Sequence, residues 1–303
     1  MQQTKPKQSS ASVLQSLSDR RVLPMFPAVI NKLDNALKAT SVSIDEVVSI
    51  LSTDLNTFSR IMKSASGFRY GSQPPKDLAE AVMRLGFAET RALTFAVAYT
   101  SSFEKPKNFS MATFWMHAFV SGLAAKEISA WLYRHKKMRV CDGPTAFLLG
   151  LAHEVGCLLL DKLNDEDFGH VVDELKTSNE SQSALEQKRL GTTHAVIGAA
   201  LLKYWGFTDN MVMAVAGHHF PGRLPLAQQP IADMVLLAES MAGYMGFDNG
   251  VDKATPGMLN SFVSERMQVI GMTEADFLRI SERIKDALAE EDWMELASST
   301  GNL

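Results

Sequence analysis

Cysteine is nearly absent from this chain. Cys141 and Cys157 are the two cysteines among 303 residues. They form neither a CxxC pair nor a spaced quartet, which excludes a disulfide framework and fits a reducing cytosol.

The sequence also lacks the long apolar runs of membrane and secreted proteins. No stretch approaches the roughly 18 uninterrupted apolar residues needed to span a bilayer. The first ten residues, MQQTKPKQSS, have no apolar segment of the kind found in signal peptides. These absences predict a soluble cytoplasmic protein with no membrane association.

There is no excess of positive charge. The net charge is -4 and the isoelectric point is about 6.0, so the overall field does not attract nucleic acid or anionic lipid. The basic run at residues 134–139 (RHKKMR) fits a helix C-terminus, where cations complement the helix dipole; a nucleic-acid patch is the alternative interpretation. We expect no direct nucleic-acid binding.

Helix-breaking residues are few, and no stretch shows sustained strand alternation. With 19 Gly, 11 Pro and 16 Met in a chain that is 46% hydrophobic, the composition favours helix in a globular protein. Ser43 with Glu46, and Thr273 with Asp276, form capping boxes, and Asp77 is placed to cap a further helix. The prediction is an all-α fold.

Breaks in the helical sequence pattern predict two helical lobes. Residues 1–20 read as a flexible tail, and Pro27 fits a first helical position. The charged, proline-containing segment Glu104–Asn108 separates an N-terminal lobe, residues 21–105, from a second lobe, residues 106–250. Residues 251–303 are predicted to form a C-terminal helical extension.

Several helix limits follow from glycines, prolines and capping residues. We expect one helix to run from Asp77 to a stop at Gly86, with a separate helix near residues 91–99 and an earlier helix ending near Gly67. Pro144 opens an apolar helix that is predicted to carry His153 and Glu154 in its middle. Asp209 is predicted to cap the helix that ends at His218 and His219.

The most informative feature is an ordered array of histidines and carboxylates. Five of the seven histidines belong to it. The candidate metal ligands are His117, His153, Glu154, His194, His218, His219 and Glu239. Histidine is the commonest side chain for transition-metal ligation, and a site fed by several helices would be a metal or phosphate-hydrolysis centre in a helical bundle.

Each histidine alone also fits a structural role, such as a core histidine bound to a backbone carbonyl. Glu154 and Glu239 are harder to explain in that way, because each lies in an apolar helical stretch and carboxylates are seldom buried unpaired. A shared metal site would satisfy all of these groups. A purely structural polar core is the third interpretation.

The motifs resemble the HDOD domain, a signalling relative of the HD superfamily of metal-dependent phosphohydrolases. The resemblance covers about Leu23 to Gly246. The matching segments are Leu23–Pro27, Ser64–Gly71, Ala79–Gly86, Gly150–Gly156, His194–Ala199, Lys203–Gly206 and Ala216–His219.

The resemblance implies that the seven array residues occupy the superfamily's metal positions, with His194 inside the pocket or at its rim. It implies one or two divalent transition ions (Fe, Mn, Zn or Ni), or a site that has lost them. This chain departs from the usual pattern at four places. Glu154 and Glu239 stand where aspartate is usual, Cys157 replaces a lysine, and Phe220–Gly222 differs from the Gly-Tyr-Pro signature of cyclic-di-GMP phosphodiesterases.

These departures favour a signal-transduction output module that binds a signalling protein or a small nucleotide ligand through a degenerate HD-type site. The alternative is a metal-dependent phosphohydrolase acting on a nucleotide or cyclic dinucleotide. One extra methylene in Glu154 moves the carboxylate by about one bond length, and misplacements near 1 Å can cost about a hundredfold in rate. We therefore expect poor hydrolysis or none.

Overall fold

The computed structural model describes residues 23–24, 28–38, 41–66, 73–253 and 255–290. These residues form fourteen α-helices, numbered α1 to α14 below, and one short 3-10 helix; none of them forms a strand. The all-α prediction is confirmed. The tail at 1–20, the position of Pro27, the helix end near Gly67, the rest of that motif to Gly71 and residues 291–303 lie outside the described residues.

The chain divides into two compact units, which are described separately. Among the described residues, one unit spans Pro24–Glu104 and takes in the chain from Ala287, and the other spans Lys105–Asp286 and takes in Leu23. All seven candidate site residues belong to the second unit.

The first unit is built from four helices. They are α1 (Ala28–Lys38), α2 (Ile44–Leu51), α3 (Leu55–Ser64) and α4 (Leu78–Ser101). Their apolar faces meet in a core that includes Leu33, Val47, Ile61 and Val82, each at most 1% exposed. Helices that are amphipathic at a period of 3.6 residues bury such faces against one another.

Two predicted caps in this unit are present. Ser43 Oγ accepts a hydrogen bond from the Glu46 amide at 3.1 Å, and Asp77 Oδ1 accepts one from the Glu80 amide at 2.8 Å. Each bond satisfies an amide at a helix start that has no acceptor within the helix. These contacts set the starts of α2 and α4.

The prediction that a helix stops at Gly86 is only half correct. Gly86 has φ 76° and ψ 162°, so the helical backbone breaks there, but the helix resumes at once and α4 continues to Ser101. Glycine adopts positive φ without a steric penalty, so the break kinks the element instead of ending it. The expected gap before Arg91 is absent.

The second unit contains the remaining helices, with the last one included up to Asp286. They are α5 (Met111–Lys136), α6 (Gly143–Ala152), α7 (Val155–Leu163), α8 (Asp165–Leu175), α9 (Gln182–Leu190), α10 (His194–Tyr204), α11 (Asp209–Gly217), the 3-10 helix Pro221–Arg223, α12 (Gln229–Tyr244), α13 (Ser261–Ile270) and α14 (Glu274–Glu290). α5 packs against α6 and α12, and α10 packs against α7 and α11. The predicted capping box before α14 is present, because Thr273 Oγ1 accepts from the Asp276 amide and Asp276 Oδ2 accepts from the Thr273 amide.

Two helix limits in this unit differ from the prediction. His153 and Glu154 do not lie within one helix: Glu154 has φ -93° and ψ 3°, which separates α6 from α7. Both helices are buried, so the apolar pattern runs through the break and hides it. Asp209 is the first residue of α11 and not its cap; Thr208 precedes it, and the Asp209 charge in the first turn suits the helix dipole.

Two glycines allow helices to approach the break closely. A Cβ atom at Gly150 would lie 2.3 Å from the carbonyl oxygen of Ser121 in α5, and one at Gly156 would lie 1.9 Å from the carbonyl oxygen of His194. Only glycine permits such backbone contact. The two contacts bring the turn between α6 and α7 next to α5 and to the start of α10.

The stretch Gly143–Leu163 is long and apolar enough to span a bilayer by length and composition. Within its apolar window, 83% of the residues are buried inside the protein, as in the core helices of globular folds.

Candidate metal centre

The structure brings all seven candidate residues into one cluster. The side chains come from α5 (His117), the turn between α6 and α7 (His153, Glu154), the start of α10 (His194), the segment after α11 (His218, His219) and α12 (Glu239). A side-chain nitrogen or oxygen of each residue lies within 3.8 Å of one on another member. His117 and Glu239 are 122 positions apart in sequence and meet only because the helical bundle brings them together.

The cluster is closed on most sides. His153, Glu154, His194 and His218 are fully buried, and His117 is 4% exposed. The side chains of His219 and Glu239 keep 22% and 21% exposure. A ligand would therefore reach the cluster from the side of His219 and Glu239.

Three histidines are held by backbone carbonyl oxygens. The Nδ1 atoms lie 2.8 Å from Phe247 O for His117, 2.7 Å from Gly150 O for His153 and 2.6 Å from Val215 O for His218. A carbonyl oxygen can only accept, so each Nδ1 carries the proton and each Nε2 offers a lone pair. Metal-binding histidines are oriented by the same kind of contact.

His194 is held by a carboxylate instead. Its Nδ1 lies 2.8 Å from Glu186 Oε2, and the His194 amide donates to the same oxygen at 2.8 Å. On the other side of the ring, Nε2 lies 2.7 Å from His219 Nε2 and 3.5 Å from Glu154 Oε1. His194 thus belongs to the cluster itself and not to its rim.

Six of the seven candidates supply ligand atoms to two overlapping groups that share Glu154, and His117 belongs to neither group. One contains Glu154, His194, His218 and His219, and the other contains His153, Glu154 and Glu239; within each group the atoms lie within 4.8 Å of one another. Tetrahedral ligands at about 2 Å from an ion lie roughly 3–4 Å apart. A carboxylate that belongs to both groups suits two neighbouring ions.

Three atoms in the cluster are buried without a hydrogen-bond partner among the described residues: Glu154 Oε1, His218 Nε2 and Glu239 Oε2. A buried polar atom left without a partner costs about 1–3 kcal/mol. These atoms are an imidazole nitrogen and two carboxylate oxygens, the donors that divalent transition metals prefer. The residues present therefore fit a metal ion.

Burial keeps most of the histidines neutral. It lowers the pKa of His117, lowers that of His153 and His219 well below the ordinary value, and lowers that of His218 to about 4. A neutral imidazole is the form that ligates metals.

His194 and Glu154 are the charged members of the cluster. Burial lowers the pKa of His194, but Glu154 and Glu186 outweigh it and raise the value to about 10. Burial alone would raise the pKa of Glu154, yet the nearby histidines, His194 first, hold it below its ordinary value. Burial and the charge of Glu154 raise the pKa of Glu239 to about 8. A bound cation would displace the proton from His194 and favour the ionised form of Glu239.

Sequence reasoning missed the polar network behind the cluster. Gln182 Nε2 lies 2.8 Å from Glu186 Oε1, 3.2 Å from Cys157 Sγ and 3.1 Å from His194 Nδ1. The side-chain amide thus fills the space between three residues that could otherwise hold an ion of their own. Asn249 Nδ2 in turn donates to Gln182 Oε1 at 3.1 Å.

Cys157 has a contact that its position in the sequence does not reveal. Its thiol donates to Glu154 Oε2 at 2.9 Å, which leaves Oε1 to face the histidines. Burial raises the pKa of this thiol well above its ordinary value, so it is a neutral donor. Cys157 is therefore an uncharged group that positions Glu154.

The family match agrees with this geometry. The HDOD domain family matches residues 23–221, about two thirds of the chain. The chain belongs to the HDOD domain family. A curated relative, an uncharacterized protein from Treponema pallidum (strain Nichols), is 20% identical over 272 residues, which are 89% of this chain. This HDOD chain spans about half (51%) of that relative's length.

Solved structures show the same fold. A candidate phosphohydrolase from Shewanella amazonensis SB2B has a TM-score of 0.73 at 22% identity, with 97% of this chain and 100% of that one covered. An HDOD domain protein of unknown function from Geobacter sulfurreducens has a TM-score of 0.72 at 20% identity, with 97% and 99% covered. A candidate signal transduction protein from Marinobacter aquaeolei VT8 also scores 0.72, at 18% identity, with 98% and 67% covered.

Proposed function

We propose that this HDOD protein is a signal-transduction module that binds a divalent transition metal and acts by binding a partner or small ligand, with little or no hydrolysis. The observation that supports the metal most directly is the set of buried atoms without partners, Glu154 Oε1, His218 Nε2 and Glu239 Oε2. Among the described residues none of these three atoms has a hydrogen-bond partner, and His218 Nε2 lies 3.8 Å from Glu239 Oε2.

The chain's own groups have distinct tasks in such a site. His117, His153 and His218 present Nε2 atoms whose orientation is set by backbone carbonyls. Glu186 orients His194, and Cys157 orients Glu154. A bound metal of this class would supply Lewis acidity and charge stabilisation for phosphate esters.

The local chemistry argues against efficient hydrolysis. The group beside Glu154 is the neutral, buried thiol of Cys157, which supplies no positive charge to a phosphoryl transition state. One oxygen of Glu154 is also committed to that thiol, which restricts how the longer glutamate side chain can adjust. Metal binding tolerates these changes better than catalysis does, because catalysis depends on position to within about 1 Å.

The ligand would reach the site where it opens. His219 and Glu239 are the partly exposed members of the cluster, and Phe220 beside them is 45% exposed. Arg223 lies over the Phe220 ring at 4.5 Å from its centroid. A cation and an aromatic ring at this opening suit a small nucleotide, and a signalling protein is the other kind of partner expected.

A hydrolysis assay tests the proposal. The purified protein would be supplied with Mn²⁺ or Fe²⁺ under reducing conditions, and cleavage of cyclic dinucleotides and common nucleotides would be followed for wild type and His153→Ala. We expect turnover far below the ordinary enzyme range of about 1 per second or more.

The rival function is a metal-dependent phosphohydrolase. It is favoured by the two ligand groups that share Glu154, an arrangement suited to two ions. Turnover near 1 per second or above that His153→Ala abolishes would establish this rival and refute the binding-module proposal.

A further inference from the structure

A second feature of the Lys105–Asp286 unit is a cavity of about 220 Å³ away from the histidine cluster. It lies between the last turns of α5 and the first half of α14. Its lining residues are Trp131, Arg134, His135, Asp276, Arg279, Ile280 and Arg283.

The cations in this cavity come from two helices. Arg134 belongs to the basic last turn of α5, where positive charge complements the helix dipole. That explanation does not extend to Arg279 and Arg283, which lie within α14. Three guanidinium groups therefore converge on one cavity in a chain whose net charge is -4.

The acidic groups nearby do not balance this charge. Asp276 is the acidic residue of the lining; it accepts a hydrogen bond from Thr273 Oγ1 at 2.6 Å and lies 3.6 Å from Arg279. Glu127 lies 3.2 Å from Arg283. Arg134 has no ion pair with any residue that the structure describes. One guanidinium thus remains in excess of the two carboxylates.

The floor of the cavity is apolar. Trp131 and Ile280 are 4% and 1% exposed, and the His135 ring stacks on Trp131 at 5.4 Å between centroids with 27° between planes. Lys136 adds a further positive charge next to the floor, because its Nζ lies over the Trp131 ring at 5.5 Å from the centroid. Arginines beside an apolar floor are typical of sites that bind phosphate groups, since a guanidinium can donate two parallel hydrogen bonds to them.

We propose that this cavity binds the phosphate end of a small organic phosphate. Drug-sized ligands occupy about 300–1,000 Å³, so the cavity suits one or two linked phosphates while the rest of the ligand extends outward. The site is separate from the histidine cluster, and its existence does not depend on a metal there.

The test is a calorimetric titration of the full chain with inorganic diphosphate. The protein is first treated with chelator, so that a metal at the histidine cluster cannot hold the anion. We expect saturable binding that weakens as salt is raised. Arg134→Ala and Arg279→Ala should each weaken it about tenfold, the loss typical of a charged hydrogen bond.

The matched control is Lys203→Ala, which removes one exposed positive charge from α10, outside the cavity. It should change the affinity less than about twofold. Absence of binding, or equal weakening by all three variants, would overturn the proposal. A parallel arm uses vesicles containing phosphatidylserine: binding to vesicles that diphosphate does not displace would assign the patch to a lipid surface instead and also overturn it.

Discussion

At the scale of single residues, the cluster depends on groups that hold its ligands and not only on the ligands themselves. Carbonyl oxygens hold three histidines, Glu186 holds His194, and the Cys157 thiol holds Glu154. Contacts of this kind set the tautomer and the direction of a ligand before any ion arrives. The arrangement is therefore preorganised.

Glu186→Gln tests this preorganisation. Both the His194 amide and its Nδ1 lie 2.8 Å from Glu186 Oε2, and a carboxamide has one acceptor oxygen where the carboxylate has two. We expect Mn²⁺ or Zn²⁺ affinity to fall about 10- to 100-fold, the usual effect of losing such a contact.

The matched control for that measurement is Glu265→Gln, which changes an exposed carboxylate on α13. Metal affinity, measured by titration against a competing chelator, should be unaltered in the control. Equal affinity in wild type and Glu186→Gln would show that Glu186 does not orient a ligand.

At the scale of helices, the site depends on two places where the backbones of packed helices are in direct contact. Gly156 faces the carbonyl of His194, and Gly150 faces that of Ser121. The break at Glu154 then turns the chain so that two consecutive residues, His153 and Glu154, both face the centre. Adjacent residues of an unbroken helix would point about 100° apart.

Gly156→Ala should therefore destabilise the fold and disturb the cluster. Its Cβ would lie 1.9 Å from the His194 carbonyl oxygen, so α7 and α10 must move apart. Overpacking of this kind typically costs about 1–3 kcal/mol, occasionally more. Denaturant unfolding would measure this loss in the free energy of unfolding.

Gly143→Ala provides the comparison, because its Cβ would meet only the Lys126 side chain, at 3.5 Å. That variant should be neutral or slightly stabilising, since alanine favours helix over glycine. Similar free energies of unfolding for the two variants would contradict the close-contact account.

The pair Arg266–Asp233 ties α13 to α12 by two hydrogen bonds of 2.6 and 2.8 Å. The two side chains are 8% and 1% exposed, and burial raises the pKa of Asp233 although Arg266 opposes the shift. Arg266→Ala would leave a buried carboxylate unpaired, so we expect a loss of about 3–5 kcal/mol in the free energy of unfolding.

An exposed pair of similar length serves as the control. Lys176 and Asp173 are 2.7 Å apart with 54% and 73% exposure, and Lys176→Ala should cost at most about 1 kcal/mol. Thermal or denaturant unfolding would compare the stability lost in Arg266→Ala with that lost in Lys176→Ala. Equal losses would mean that burial does not decide the strength of the Arg266 pair.

At the scale of the whole molecule, local signals in the sequence predicted much of the fold. The all-helical class and the caps at Ser43, Asp77 and Thr273 follow from short-range chemistry that the structure repeats. The array of histidines and carboxylates was also visible, because those residue types are rare on apolar helices.

Other features needed the tertiary structure. The break at Glu154 is hidden because both flanking helices are buried and read as one apolar run. Glu186 and Gln182 lie on a largely polar helix, where nothing in the pattern distinguishes them from solvent-facing residues, yet both are buried beside His194. The arginines of α14 join Arg134 only through packing between helices far apart in sequence.

The central claim is that the buried cluster binds a divalent transition metal. The most direct measurement is the metal content, by inductively coupled plasma mass spectrometry, of protein purified without a histidine tag or chelator. We predict one or two Fe, Mn, Zn or Ni ions per chain in wild type and little or none in His153→Ala and His218→Ala that remain folded. Wild-type protein with no bound metal that also fails to take up Mn²⁺, Fe²⁺ or Zn²⁺ on addition would contradict the account.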